Sequence, residues 1–249
     1  MQSLQRTVLF FIIRFKASGR KTISAGTDLV TGQGAGLSDG STHLHKYLHI
    51  LSQAISILVH PMLVPTYGII LYMLYMLVRT PDLPMQYVAL CIGGTLIFTA
   101  VIPLGILLIM RQQKHITSLA LEKPSERTLP YIYTMMCYFC WIYFIDIVQL
   151  PKIWLWIVIA SSIALGLTLA INLHWKISAH LTALGGLLGS VFSLSAYYNF
   201  IPTPLIIIVL GIALLTMFAR IYLNAHTPLQ VVCGFLMGLG ITLIPIIMI

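Results

Sequence analysis

The chain has 249 residues, 59% of them apolar and only 8% charged, with 14 Lys+Arg against 6 Asp+Glu and a formal net charge of +8. Soluble domains carry roughly 25% charged residues, so this composition excludes an ordinary soluble globular protein, a disordered chain and a coiled coil. It leaves an all-α, polytopic transmembrane bundle, in which basic residues scattered between apolar spans report topology and anionic head groups rather than nucleic acid.

Residues 1–46 differ in composition from the rest. They hold Arg6, Arg14, Lys16, Arg20, Lys21 and Lys46 and a Gly/Ser/Thr-rich stretch from Ser24 to Thr42. The apolar run Val8–Ile13 is too short to span a bilayer or to make a signal peptide. The segment is expected to be a flexible basic tail, followed by a helical membrane domain over 47–249.

Apolar runs near the length of a bilayer core follow at 57–78, 87–110, 131–150, 152–172, 181–198, 201–218 and 228–249, which predicts six to seven spans. His60-Pro61 and Pro65 interrupt the first, a sign of a kink or a separate interfacial helix. Gly185/Gly189 and Gly234/Gly238 have the small-x-x-x-small spacing that lets helices approach closely. No internal repeat is visible, which argues against an inverted-repeat transporter. Counting spans puts the tail and the loops 111–130, 173–180 and 219–227 on one side, with short turns on the other.

Only Glu122 and Glu126 among the acids lie close in sequence. Hard cations want several oxygen ligands, so a carboxylate-rich metal centre is not expected, and neither a metal nor another cofactor is. Cys137-x-x-Cys140 sits in an apolar run and reads as small core residues. Asp146 is expected to form an interfacial ion pair with Lys152. Tyr131, Trp154 and Tyr198 read as belt anchors, and His43, His45, His49, His60, His115 and His174 as structural or interfacial residues.

The chemistry-bearing residues gather in the three longer loops. The first holds Lys123 and Arg127, the second Lys176, Ser178 and His180, and the third Arg220, His226 and Gln230. Ser178 stands at an N-cap position and Pro228 in the first turn of the last helix. His180 and His226 therefore both lie at helix N-termini, where free N–H groups and the helix dipole favour anions. Two histidines and several cations on one face of a membrane bundle suit a phosphate monoester or diphosphate. One His can attack phosphorus and the other protonate the leaving oxygen, while cations stabilise the equatorial oxygens.

Over residues 120–240 these positions resemble the three signatures of the phosphatidic acid phosphatase type 2 superfamily: K-x-x-x-x-x-x-R-P, P-S-G-H and S-R-x-x-x-x-x-H-x-x-x-D. The resemblance implies His226 as nucleophile, His180 as acid, and Arg127, Arg220, Ser178 and Lys123 as phosphate ligands. The five-residue gap from Arg220 to His226 is kept. Ala179 replaces Gly, Ala219 replaces Ser, Lys123 lies only four residues before Arg127, and Gln230 stands where the pattern has Asp. Gln230 can fix a tautomer but supplies no charge to an imidazolium; in a related triad a neutral amide for Asp lowers the rate about 10⁴-fold.

The expected activity is metal-independent dephosphorylation of an anionic membrane lipid through a phosphohistidine. The alternative is an impaired relative that binds or presents such a lipid or scaffolds a membrane partner. Twelve of the 14 Lys+Arg fall on the side of the candidate site, so the positive-inside rule makes that side cytosolic. An extracytoplasmic site, common among bacterial members of the resembled family, is the alternative.

Overall fold

The computed structural model describes residues 38–118, 121 and 126–248. The chain divides into two compact units, Met1–His43 and Leu44–Ile249. Of the first, only the helical residues 38–43 are described, so most of the expected basic tail lies outside the described residues; the candidate site lies within the second.

The described residues are helical, without strands. Helix α1 is Ser38–Leu58 and α2 is Val64–Arg79. Met85–Leu96 (α3) continues through a π turn at Ile97–Val101 into Ile102–Gln112 (α4). Then come α5 (Thr128–Ile147), α6 (Lys152–Asn172), α7 (Ala179–Tyr197), α8 (Thr203–Tyr222) and α9 (Pro228–Leu243), ending in a 3₁₀ turn, Ile244–Met248. Six helices, 85–112, 128–147, 152–172, 179–197, 203–222 and 228–248, are long and apolar enough to cross a membrane.

Prolines set several boundaries. The first apolar run splits at His60-Pro61, leaving α2 with 16 residues, about 24 Å at 1.5 Å per residue and short of a hydrocarbon core. Pro103 has no N–H for the Thr99 carbonyl one turn earlier, and the chain widens into a π turn there. Pro151, Pro204 and Pro228 open α6, α8 and α9, where a missing N–H leaves no intrahelical bond unmade.

The core is built on Tyr72, Met73, Trp141, Ile145, Ile153, Leu188, Val191 and Val209. Large apolar side chains such as Ile207, Leu214, Phe218 and Leu236 are exposed, as a lipid-facing surface requires. Helices α7 and α9 pack most closely. A Cβ on Gly185 would strike the Phe235 carbonyl, and one on Gly238 the Thr182 carbonyl, so the two small-residue pairs predicted from spacing meet backbone to backbone. That approach sets the N-termini of α7 and α9 side by side.

Two expectations fail. Trp154 is 8% exposed and donates its indole N–H to the Tyr87 hydroxyl, which lies 3.2 Å from that of Tyr198. Trp154 and Tyr198 therefore form an interior polar cluster rather than a belt, because the short connections at that end fold their polar tips onto one another. Asp146 forms no ion pair with Lys152 among the described residues; its backbone carbonyl accepts from Gln149 Nε2, and the exposed carboxylate is left to solvent or head groups.

Candidate active site

A cavity of about 270 Å³ opens among α2, α3, α5, α6, α7 and α8. Its lining includes His60, Arg127, His180, Arg220 and His226, and continues along apolar walls to Tyr72, Trp141, Trp154 and Leu194. Lys176, Asn224, His226 and Gln230 line an adjoining groove, so His226 stands where the two hollows meet.

The third motif derives its geometry from a helix end. Helix α8 stops at Tyr222 and Asn224 adopts a left-handed φ of 51°, a conformation Asn tolerates better than most residues. The chain reverses, and the N–H groups of Ala225 and His226 both bond back to the Arg220 carbonyl, at 3.1 and 3.3 Å. The five-residue gap is the length of this turn. Arg220 thereby comes to line the same cavity as His226. Its Nε is buried and meets no hydrogen-bond partner among the described residues, a costly state for a guanidinium unless an anion completes it.

Gln230 is the N3 residue of α9. Its Oε1 accepts from the Thr227 N–H at 3.1 Å, and its own N–H bonds Thr227 Oγ1 at 3.4 Å, a capping box. Since Thr227 N–H can only donate, the Gln230 oxygen must face it, and His226 Nδ1, 3.3 Å from the same oxygen, must carry a proton. Nε2 of His226 then holds the lone pair and has no hydrogen bond among the described residues. Burial first, then the charges of Arg220 and Lys176, push the His226 pKa down to about 4 against an opposing bond from Gln230, so the ring is a neutral base at physiological pH.

His180 opens α7. Its Nε2 lies 3.1 Å from the Ser56 carbonyl, one of the last four carbonyls of α1 and so without a helical donor. A carbonyl only accepts, so Nε2 carries the proton and Nδ1 is open. Arg127 is steadied by two acceptors: its Nε donates to the Leu121 carbonyl at 2.8 Å and Nη1 to Asn172 Oδ1 at 3.3 Å.

Of the residues singled out from sequence, His180, His226, Arg127 and Arg220 are brought around one cavity, with Gln230 behind His226. Ser178 is the N-cap residue by position, and its N–H bonds the Gln230 carbonyl at 3.4 Å, tying the two motifs together. Its hydroxyl is fully buried without a partner and does not line the cavity. Lys123 lies outside the described residues. Glu126 binds Thr117 through both carboxylate oxygens, closing its own loop. No group of three or more His, Cys, Asp or Glu side chains is placed to hold a metal among the described residues.

Sequence reasoning missed the site contacts of His60, Ser56 and Asn172, and read as a belt anchor Tyr131, which lines the cavity. His60 could have been found from the His-Pro break, since a polar ring at an interrupted span belongs at a water-facing or site-facing end.

A family model described as the PAP2 superfamily matches residues 174–249. No curated protein and no solved structure matches the chain. The matched segment contains His180, Arg220, His226 and Gln230, and the match supports membership of this membrane protein in the phosphatidic acid phosphatase type 2 superfamily.

Proposed function

We propose that the protein dephosphorylates a membrane lipid carrying a phosphate or diphosphate, through a phosphohistidine at His226. The observation that carries the reading is the buried, unpartnered Nε of Arg220 beside two histidines, at the polar end of a cavity whose remaining walls are mostly apolar, with scattered Ser and Thr hydroxyls. An anionic head would complete the guanidinium, and the hydrocarbon would lie along the apolar walls.

In this mechanism Arg220 and Arg127 hold the phosphoryl oxygens, and Lys123 is a further ligand from the first loop. His226 Nε2 attacks phosphorus; the P–O bond to the lipid breaks as the ring becomes a positively charged phosphohistidine with Nδ1–H held by Gln230. The leaving oxygen takes a proton through Nδ1 of His180, which that open nitrogen first accepts from the monoanionic phosphate of the substrate. Neutral His180 then accepts a proton from water, the oxygen attacks phosphorus, and inorganic phosphate leaves with His226 restored. Ser178 supports the α7 N-terminus rather than the phosphate.

The test is phosphate release from a panel of lipid phosphates by purified protein in detergent with EDTA, wild type beside His226→Ala. Release that survives EDTA and is lost in His226→Ala is expected. Gln230 favours a second reading, a lipid-binding relative without turnover. Folded protein that binds the lipids and releases no phosphate from any of them would establish that reading instead.

A further inference from the structure

The His60-Pro61 break places a third histidine at the polar end of the cavity, outside the 174–249 segment that carries the family match. Pro61 cannot donate an N–H, so the corner between α1 and α2 is closed by other bonds: the N–H groups of Leu63 and Val64 reach the His60 carbonyl at 2.8 and 3.3 Å, and the Met62 N–H reaches His60 Nδ1 at 3.4 Å. Because that N–H can only donate, Nδ1 is the acceptor and Nε2 carries the ring proton. Nε2 makes no hydrogen bond among the described residues. The ring stands edge-on to His180, centroids 6.0 Å apart, and lines the same cavity as Arg220 and His226.

Resting on the phosphatase reading above, we propose that His60 is a substrate-binding residue whose Nε2–H donates to an oxygen of the bound phosphoryl group. Burial, then Arg220, lowers its pKa to about 4, so it binds as a neutral donor and transfers no proton. An N–H donor on the wall of this cavity makes a strong hydrogen bond when it meets a charged phosphate oxygen. Closing the corner does not itself require histidine, because any side chain that accepts from the Met62 N–H would serve.

That distinction supplies the test. In His60→Asn the side-chain oxygen takes the place of Nδ1 and keeps the corner bond, but nothing replaces Nε2–H. In His60→Gln the amide NH₂ reaches the place of Nε2. Inorganic phosphate is the probe, read by thermal shift and as a competitive inhibitor of lipid phosphate turnover. His60→Asn should fold with the wild-type melting temperature in the absence of phosphate and bind phosphate about ten- to hundred-fold more weakly, the weight of one hydrogen bond to a charged group. His60→Gln should recover much of that loss. Wild-type affinity in His60→Asn, with His60→Gln the more impaired of the two, would make His60 a corner residue and overturn the proposal while leaving the phosphatase reading intact. Failure of the wild type to bind phosphate at all would overturn both.

Discussion

The substitution that probes the site most sharply is Gln230→Glu, which is isosteric and places a full negative charge where the amide oxygen now sits, 3.3 Å from His226 Nδ1. Attack by Nε2 on phosphorus makes the ring cationic. A unit charge at that distance interacts with it by about 5 kcal/mol at an effective dielectric of ~20. Gln230 is only half-buried and borders a groove that also holds Lys176, so screening leaves about 2–3 kcal/mol, roughly a hundred-fold in the phosphorylation step. The loss of about 10⁴ for the reverse change in a buried triad marks the upper bound. Glu is also the preferred partner in a capping box and suits a helix N-terminus, so the fold should be unharmed. The assay is single-turnover formation of acid-labile phosphoenzyme from a lipid phosphate. The new charge lies behind the ring, away from Nε2, so the gain should appear in the rate of the burst rather than in affinity. A burst no faster than wild type, in protein that melts normally and binds phosphate, would refute the argument that His226 becomes cationic against residue 230.

The lowered His226 pKa sets a second expectation. The neutral ring is the nucleophile, so the acid limb of kcat/KM for wild type should fall near pH 4 rather than near 6.5, and Gln230→Glu should move it to higher pH; a wild-type limb centred at 6.5 would contradict the enclosure described for His226. The same shifts bear on stability. His60 and His226 have folded pKa values below their unfolded ones, so their contribution is complete above about pH 6.5 and is lost as pH falls toward 4, visible as a declining melting temperature over that window. Finally, Gly238→Ala sets a methyl against the Thr182 backbone carbonyl and should destabilise by about 1–3 kcal/mol, whereas Gly240→Ala meets nothing within 4 Å and should be neutral or stabilising by up to about 1 kcal/mol; equal melting temperatures would refute the close α7–α9 approach.

What could be read in the sequence was whatever local chemistry decides. Prolines at helix starts, apolar length and the two glycine pairs depend on neighbours within one or two turns, and they gave the helices and the α7–α9 seam. The Arg220-to-His226 gap was legible for the same reason, since it is the length of one reversal through Asn224. Partners distant in the chain were not. Ser178 looked like a phosphate ligand because its position is that of an N-cap, yet packing beneath Gln230 buries its hydroxyl away from the cavity. Trp154 and Tyr198 looked like interface anchors because composition cannot tell a belt from an interior cluster when both sit at span ends.

Helix α1 is the clearest case of a contribution hidden by composition. Its outward face carries Leu44, Tyr47, Leu51 and Leu58, all exposed, while its buried positions include the small residues Ser52 and Ser56, so hydropathy gives little sign that it packs inward at all. It matters because it ends. The Ser56 carbonyl in its last turn receives no backbone N–H and takes the His180 N–H instead. The next two residues after the helix, Val59 and His60, then bring the third ring to the cavity. A continuous span through 57–78 would have satisfied that carbonyl internally and carried position 60 along the helix. The break at Pro61 thus does for the first part of the chain what Asn224 does for the last: it ends a helix at the polar rim and converts an orphaned backbone group into a contact that orients a site histidine.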